Sequence, residues 1–476
     1  MILVLLHVVM VLACALHILL RRHRQPESRM AWLTVLVALP YVGVLGYLLL
    51  GTTNIGHKRI ARLYDTRKTL PLPRCAPGWD ASENAIDDSQ LYEALFRVGQ
   101  SISGYVPVGG NRAELMADSD TTIARMVEDI DGARSTVHLL FYIWLNDTNG
   151  MRVADALCRA AVRGVECRAL VDDIGSRSFI RSDTWSQLAD AGVQLRKALP
   201  VGNPLVRMVN GRIDLRNHRK IVVIDNHVTY CGSQNCADPA FAPKARYGPW
   251  VDAVMRFEGP VVRQNQHLFA MDWMGNGGDN IAPLLAEPLP PPQAGFAAQV
   301  VATGPTGRNA AMPEMFTSLM FAARHDLFVT TPYYVPTPAV QAALCAAANR
   351  GVTTTVIFPA RNDDFAVGAA SRSYYEGLLA AGVRIFEYGA GLLHTKSITL
   401  DGELTLIGSA NMDRRSFDLN YENNILLHDR KATAAMRARQ EEYLSDCREV
   451  TAREVAEWSM GRRLWNNALA IVSPVL

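Results

Sequence analysis

Asn217-His218-Arg219-Lys220-Ile221-Val222-Val223-Ile224-Asp225, closed six residues later by Gly232-Ser233-Gln234-Asn235, decides how this chain is read. The same spacing returns at His394-Thr395-Lys396-Ser397-Ile398-Thr399-Leu400-Asp401, closed by Gly408-Ser409-Ala410-Asn411. Two copies in identical register imply an internal duplication. The apolar run after Lys220 has the length and β-branching of a buried strand, with a turn at the Asp and a returning strand behind it. Side chains two apart on a strand share a face. His218 therefore projects with Lys220, and His394 with Lys396, while each Gly-Ser-x-Asn comes back beside its pair.

These residue types suit phosphate chemistry. A neutral imidazole is a nucleophile or base near pH 7, and a protonated one is an acid. Lysine is a compact cation for phosphate oxygens, and Ser233, Asn235, Ser409 and Asn411 offer donors to the same oxygens. One copy has a single imidazole; two facing copies have two. One can attack phosphorus while the other protonates the leaving alcohol, which splits a hard displacement into two easier steps. Asp225 and Asp401 stand at turns, where an Asx-turn or a salt bridge to the His/Lys strand competes with direct chemistry. A reactive imidazole also needs an acceptor that fixes its second nitrogen. Asp252 in the first half and Glu422 in the second are the candidates. The eight cysteines show no CxxC or Cys/His ligand spacing, so neither zinc nor a disulfide framework is indicated. The expected catalytic set is His218, Lys220, Asp225, His394, Lys396 and Asp401, with no metal and no cofactor, because lysines supply the positive charge.

Around each copy, helix and strand patterns alternate. In the first half, helices are expected at 122–130, 153–163 and 185–191, and strands at 136–144, 167–171 and 194–196. In the second, helices are expected at 313–324, 338–350 and 371–380, and strands at 327–333, 353–358 and 384–388. Arg163-Gly164-Val165 and Ala191-Gly192-Val193 recur in order as Arg350-Gly351-Val352 and Ala381-Gly382-Val383. Such alternation predicts α/β lobes, each a mixed sheet flanked by helices. A proline-rich stretch from Pro283 joins them.

The N-terminal residues 2–20 are largely apolar and end at Arg21-Arg22-His23-Arg24. A second apolar run covers 30–51, with Pro40 inside it. Each is long enough for a hydrocarbon core of ~30 Å. No positive region precedes the first, which argues for an anchor rather than a cleaved leader. Basic residues flank both spans, so the orientation rule is nearly balanced, and the catalytic region is placed on the cytoplasmic side. The basic stretch 57–68 also suits anionic headgroups. The chain divides into a two-helix anchor (1–51), a juxtamembrane segment and linker (52–110), a first lobe (111–282), a Pro-rich connection (283–295) and a second lobe with its tail (296–476). The tail reads as a segment docked on the core, with an interfacial role as the alternative.

The doubled His-x-Lys-x4-Asp-x6-Gly-Ser-x-Asn resembles the signature of the phospholipase D superfamily. Residues 217–225, the flank Asn411-Met412-Asp413-Arg414-Arg415-Ser416-Phe417, its continuation Asn420-Tyr421-Glu422, and the ending Ser473-Pro474-Val475-Leu476 are similar to bacterial cardiolipin synthases. With the apolar pair, the resemblance covers nearly the whole chain. It implies two similar phospholipase D-like lobes behind a multi-pass anchor in the bacterial inner membrane. The implied activity is transfer of a phosphatidyl group between two phosphatidylglycerol molecules, giving cardiolipin and glycerol through a phosphohistidine. A membrane-bound phospholipase D releasing phosphatidic acid, or a phosphatidyltransferase with another donor or acceptor lipid, uses the same residues. A nucleic-acid phosphodiesterase would want a basic groove with stacking aromatics. A formal net charge of +2 together with the two expected membrane spans speaks against it. The expected partners are membrane phospholipids and the bilayer, not nucleic acid. Homo-oligomer formation is left open.

Overall fold

The computed structural model describes residues 2–21, 26–39, 41–51, 55–80, 92–201, 212, 214–291, 293–308 and 310–472. Arg22, Arg24 and the Ser473–Leu476 ending lie outside the described residues.

The N-terminal run forms α1 (Ile2–Leu20), α2 (Pro26–Ala38) and α3 (Val42–Leu50). Among the described residues, no helix is long and apolar enough to cross a membrane. The second apolar run, expected as one span, is divided between α2 and α3. Pro40, which has no N–H to donate, stands between them in the sequence. The three helices meet through Cys14, Ile18, Trp32, Leu36, Val44 and Tyr47. A fourth helix, α4 (His57–Thr69), lies against the helix Val261–Gly275 of the first lobe.

The first lobe contributes β1 (Val108–Leu115), β2 (Thr136–Phe141), β3 (Glu166–Asp172), β4 (Gln194–Ala198), β5 (Arg216–Asn217), β6 (Ile221–Ile224), β7 (Val228–Gly232), β8 (Trp250–Val251) and β9 (Val254–Glu258). The second contributes β10 (Phe296–Thr303), β11 (Asp326–Thr330), β12 (Thr353–Pro359), β13 (Arg384–Tyr388), β14 (Leu392–Leu393), β15 (Ser397–Leu400), β16 (Leu404–Gly408), β17 (Asn420–His428) and β18 (Cys447–Val450). One sheet runs through both lobes in the order β4-β3-β2-β6-β7-β9-β1-β10-β17-β16-β15-β11-β12-β13-β18. Outward from the β1–β10 junction, the two halves repeat each other strand for strand. Only β18 is an addition. The parallel runs β2-β3-β4 and β11-β12-β13 are joined by helices such as Thr148–Val162 and Pro338–Asn349. Helices and strands thus alternate where the apolar periodicity predicts.

The lobes share a core. Val108, Met255 and Phe257 from one half pack with Ala298, Ile425 and Leu427 from the other, beneath Phe269 and Trp273. The helix Glu93–Ser103, assigned from sequence to the linker, drives Leu95 and Phe96 into the second lobe's core.

The turns at the two aspartates follow one plan. Asp225 and Asp401 have φ of 49° and 53°, in the left-handed region that Asp tolerates better than most residues. The Asp225 carboxylate accepts from the amides of Arg134, Ser135 and Thr136, each at 2.8 Å. Asp401 accepts from the amides of Arg324, His325 and Asp326 at 3.0, 2.8 and 3.0 Å. Each carboxylate is thereby committed to the start of the neighbouring strand, at the far end of β6 or β15 from the imidazole. This geometry supports the turn role over direct chemistry for both aspartates. Asp225→Ala and Asp401→Ala are expected to cost about 1–3 kcal/mol each, by stripping acceptors from several amides. Activity per folded molecule should persist. Denaturant melts beside active-site titration check this, and a stable but inactive Asp225→Ala would overturn it.

Candidate active site

Two short parallel pairings between the lobes set up the site. Arg216 and Asn217 of β5 pair with Asn420 and Tyr421 of β17, and the His218 amide donates to the Tyr421 carbonyl at 3.0 Å. Trp250 and Val251 of β8 pair with Leu392 and Leu393 of β14, and the His394 amide donates to the Val251 carbonyl at 2.8 Å. The next residue after each acceptor is a carboxylate. Glu422 therefore arrives beside His218 and Asp252 beside His394.

The result is a crossed arrangement. His218 Nδ1 lies 2.9 Å from Glu422 Oε2, and His394 Nδ1 lies 2.6 Å from Asp252 Oδ1. The sequence singled out both acids, but as partners within their own halves. Each instead serves the imidazole of the other half. Ser233 and Ser409, expected to face substrate, back the acids. Ser233 Oγ donates to Asp252 at 2.6 Å and accepts from the Ala253 amide at 3.1 Å. Ser409 Oγ donates to Glu422 at 2.5 Å and accepts from the Asn423 amide at 2.9 Å.

The glycine before each serine has a steric reason. A Cβ on Gly232 would sit 2.2 Å from the Ala253 carbonyl oxygen, and one on Gly408 would sit 2.3 Å from that of Asn423. Only glycine lets the strands close enough for the hydroxyl to reach the acid.

The lysines project beside the histidines as alternation requires. Lys220 Nζ donates to the His218 carbonyl at 2.7 Å, and Lys396 Nζ to the His394 carbonyl at 2.6 Å. Each ammonium spends one of three N–H groups in this way. Both lysines are buried.

His218, His394, Asn235 and Asn411 line one cavity of about 620 Å³. Asn235 Oδ1 accepts from the Ile143 amide at 3.1 Å. Asn411 Oδ1 and Trp250 Nε1 are buried at the same wall, without a partner among the described residues. Tyr142 meets His218 edge-on, with ring centroids 5.0 Å apart, and Trp250 lies 4.5 Å from His394. Across the mouth, Lys244 of the first lobe binds Asp363 of the second at 2.5 Å, and Tyr333 donates to the same carboxylate at 2.7 Å. Tyr142, Trp250, Tyr333 and Asp363 were not singled out from the sequence. They sit in or beside connecting segments. Arg216 is buried at this wall and pairs with Asp172 at 3.3 Å.

Burial controls the charges. It pushes His218 and His394 down to about 4, against the pull of Glu422 and Asp252. Burial alone would raise the two acids, but His394 and Lys396 hold Asp252 at about 2, and His218 and Lys220 hold Glu422 below its usual value. At neutral pH each imidazole is uncharged and its Nδ1–H donates to the carboxylate. Nε2 keeps a lone pair. Burial also lowers Lys220 to about 8 and Lys396 to about 7.

A stability consequence follows. A free imidazole titrates near 6.5 and these near 4. As pH falls below 6.5 the unfolded chain takes up protons first, so stability is full above 6.5 and is lost toward pH 4. The transition temperature should therefore fall over that window, less steeply in His218→Asn/His394→Asn. A flat profile from pH 7 to 4.5 would mean that burial does not lower the two imidazoles.

A duplicated α/β sheet with one imidazole from each half at a common cavity, each followed by a buried lysine, defines a phospholipase D-like protein. Residues 126–273 and 316–444 match the family described as Cardiolipin synthase, PLD-like domain, and residues 9–51 match Phospholipase_D-nuclease N-terminal. The chain is 36% identical over 482 residues to Cardiolipin synthase A of Salmonella paratyphi B, covering 98% of this chain and 96% of that protein. The Salmonella newport protein of that name matches equally. Among solved structures, phosphatidylserine synthase of Haemophilus influenzae Rd KW20 shares the fold, with a TM-score of 0.59 at 13% identity over 80% of this chain and 100% of that one. The chain belongs to the phospholipase D-like cardiolipin synthase family.

Proposed function

We propose that the protein transfers a phosphatidyl group from one phosphatidylglycerol to the free hydroxyl of another, releasing glycerol. The observation that carries this is the pair of imidazoles at one cavity, each with a carboxylate on Nδ1. His218 Nε2 attacks the phosphodiester phosphorus and displaces glycerol, whose oxygen takes its proton from His394. The bound phosphate's negative charge favours the imidazolium form of His394, which the empty site disfavours. The second phosphatidylglycerol then loses its hydroxyl proton to His394 and attacks the phosphohistidine. Lys220 and Lys396 face the developing charge on the non-bridging oxygens, with Asn235, Asn411 and Trp250 at the same wall.

The membrane placement rests on the N-terminal helices. α1 alone exposes Leu5, Leu6, Val9, Leu12, Leu16 and Leu20. So large an apolar surface calls for a cover, and a bilayer supplies one. The reading holds these helices in the inner membrane and the lobes on its cytoplasmic face.

Product analysis tests the function. Labelled phosphatidylglycerol in liposomes should give cardiolipin and glycerol in equal amounts, with or without a chelator. Phosphatidic acid as the sole product would make water the acceptor and the protein a phospholipase D.

A further inference from the structure

The back of the His218 strand carries a second hollow. Alternation turns Arg219 away from the face that holds His218 and Lys220. Its guanidinium binds Asp272 at 2.7 Å and the carbonyls of Thr303 and Glu422 at 3.0 and 3.2 Å. Around this group lies a cavity of about 300 Å³ that shares no wall residue with the catalytic one. Leu63, Leu268 and Met271 make its apolar wall, and Arg67 and Arg308 stand at it, both solvent-exposed, with Arg308 ion-paired to Glu314. Thr303 lines it, is 7% exposed, and has no hydrogen-bond partner for its hydroxyl among the described residues. A buried hydroxyl left unpaired is costly, so the hollow holds an unmet polar group. Its outer wall is α4, with Ile60 and Tyr64 exposed, directly after the apolar N-terminal helices.

We propose that this hollow takes the headgroup of an acidic phospholipid, with the phosphate against Arg67, Arg308 and the Thr303 hydroxyl, and the acyl chains leaving along Ile60 and Tyr64. The shape combines two cations, one uncommitted donor and an apolar exit, which a free anion does not need and a zwitterionic lipid does not match. A lipid there also bears on catalysis. It packs against Arg219, whose Nε holds the carbonyl of Glu422, the acid on His218. The site is separate from the catalytic cavity and rests on the preceding reading only for the nearness of the bilayer.

Photocrosslinking with the full chain in detergent tests it. The probe is a short-chain phosphatidylglycerol with a diazirine near the headgroup, and adducts are mapped by mass spectrometry. Adducts are expected within 60–72 and 302–311 as well as at the catalytic cavity. Thr303→Val should cut the former roughly tenfold, the worth of one hydrogen bond to a charged group. Arg67→Ser/Arg308→Ser should cut them at least as much, with the catalytic adducts unchanged in both variants. Excess phosphatidylglycerol should compete and phosphatidylcholine should not. Adducts confined to the catalytic cavity, adducts insensitive to these substitutions, or equal competition by inorganic phosphate would each overturn the proposal. Because the two adduct sets are separate, the hollow stands or falls independently of whether cardiolipin is made.

Discussion

His218→Ala and His394→Ala are each expected to lower kcat by at least ~10³-fold, because on the proposed scheme one removes the nucleophile and the other the acid for the leaving oxygen. Full activity in either variant would end the two-imidazole scheme. The variants should also differ from each other. A phosphatidyl donor with a nitrophenolate leaving group needs no proton for departure. With that donor, His394→Ala should still release a burst of nitrophenolate and accumulate a phosphatidyl adduct on His218. His218→Ala should do neither. The opposite pattern would exchange the two roles. Both side chains are small and lie at a cavity, so truncation removes few packing contacts, and near-native melts would separate lost chemistry from lost folding.

Glu422→Gln is expected to lower kcat by roughly 10²–10⁴-fold, the scale seen when the acid that orients a catalytic imidazole becomes an amide. The amide keeps the shape but presents an N–H or a weaker acceptor to Nδ1, so the lone pair on Nε2 is no longer fixed. Asp252→Asn should cost a similar amount for the other imidazole. The crossed geometry makes the sharper claim. With the nitrophenyl donor, Glu422→Gln should slow the burst, although Glu422 belongs to the other half from His218. Asp252→Asn, in the same half as His218, should leave the burst nearly intact and slow glycerol-dependent steps. A burst that tracks Asp252 would mean that each acid serves its own half in solution, against the 2.9 and 2.6 Å contacts.

The doubled motif made much of this legible. Spacing alone marked His218, Lys220, His394 and Lys396, although they lie just before β6 and β15 rather than within them, and the Gly-Val repeats located strand starts in both halves. Asp252 and Glu422 could be named because an active imidazole needs an acceptor. Their exchange could not, because it depends on two-residue pairings between β5 and β17 and between β8 and β14, segments far apart in the chain with no periodicity to betray them. The serines misled for a related reason. A hydroxyl near phosphate chemistry suggests a phosphate donor, and only the close approach of Gly232 to Ala253 shows it turned toward the acid. The aspartates left two roles open because conspicuous spacing marks a fold requirement as readily as a chemical one. The broken second apolar run had its signal in Pro40, which a membrane helix tolerates and which therefore did not decide the matter.

The crossed acids have a bearing on ancestry. A polypeptide carrying a single copy of the motif would hold an imidazole and an acid that point past each other, and could complete a reactive centre only by pairing with an identical chain. That is an isologous association, in which residue i of one molecule meets j of the other and j meets i. Joining two copies end to end turns the symmetry operator into an internal one. Once the operator is internal the copies are free to diverge. Asp252 and Glu422 record that freedom, since they do the same job with side chains one methylene apart.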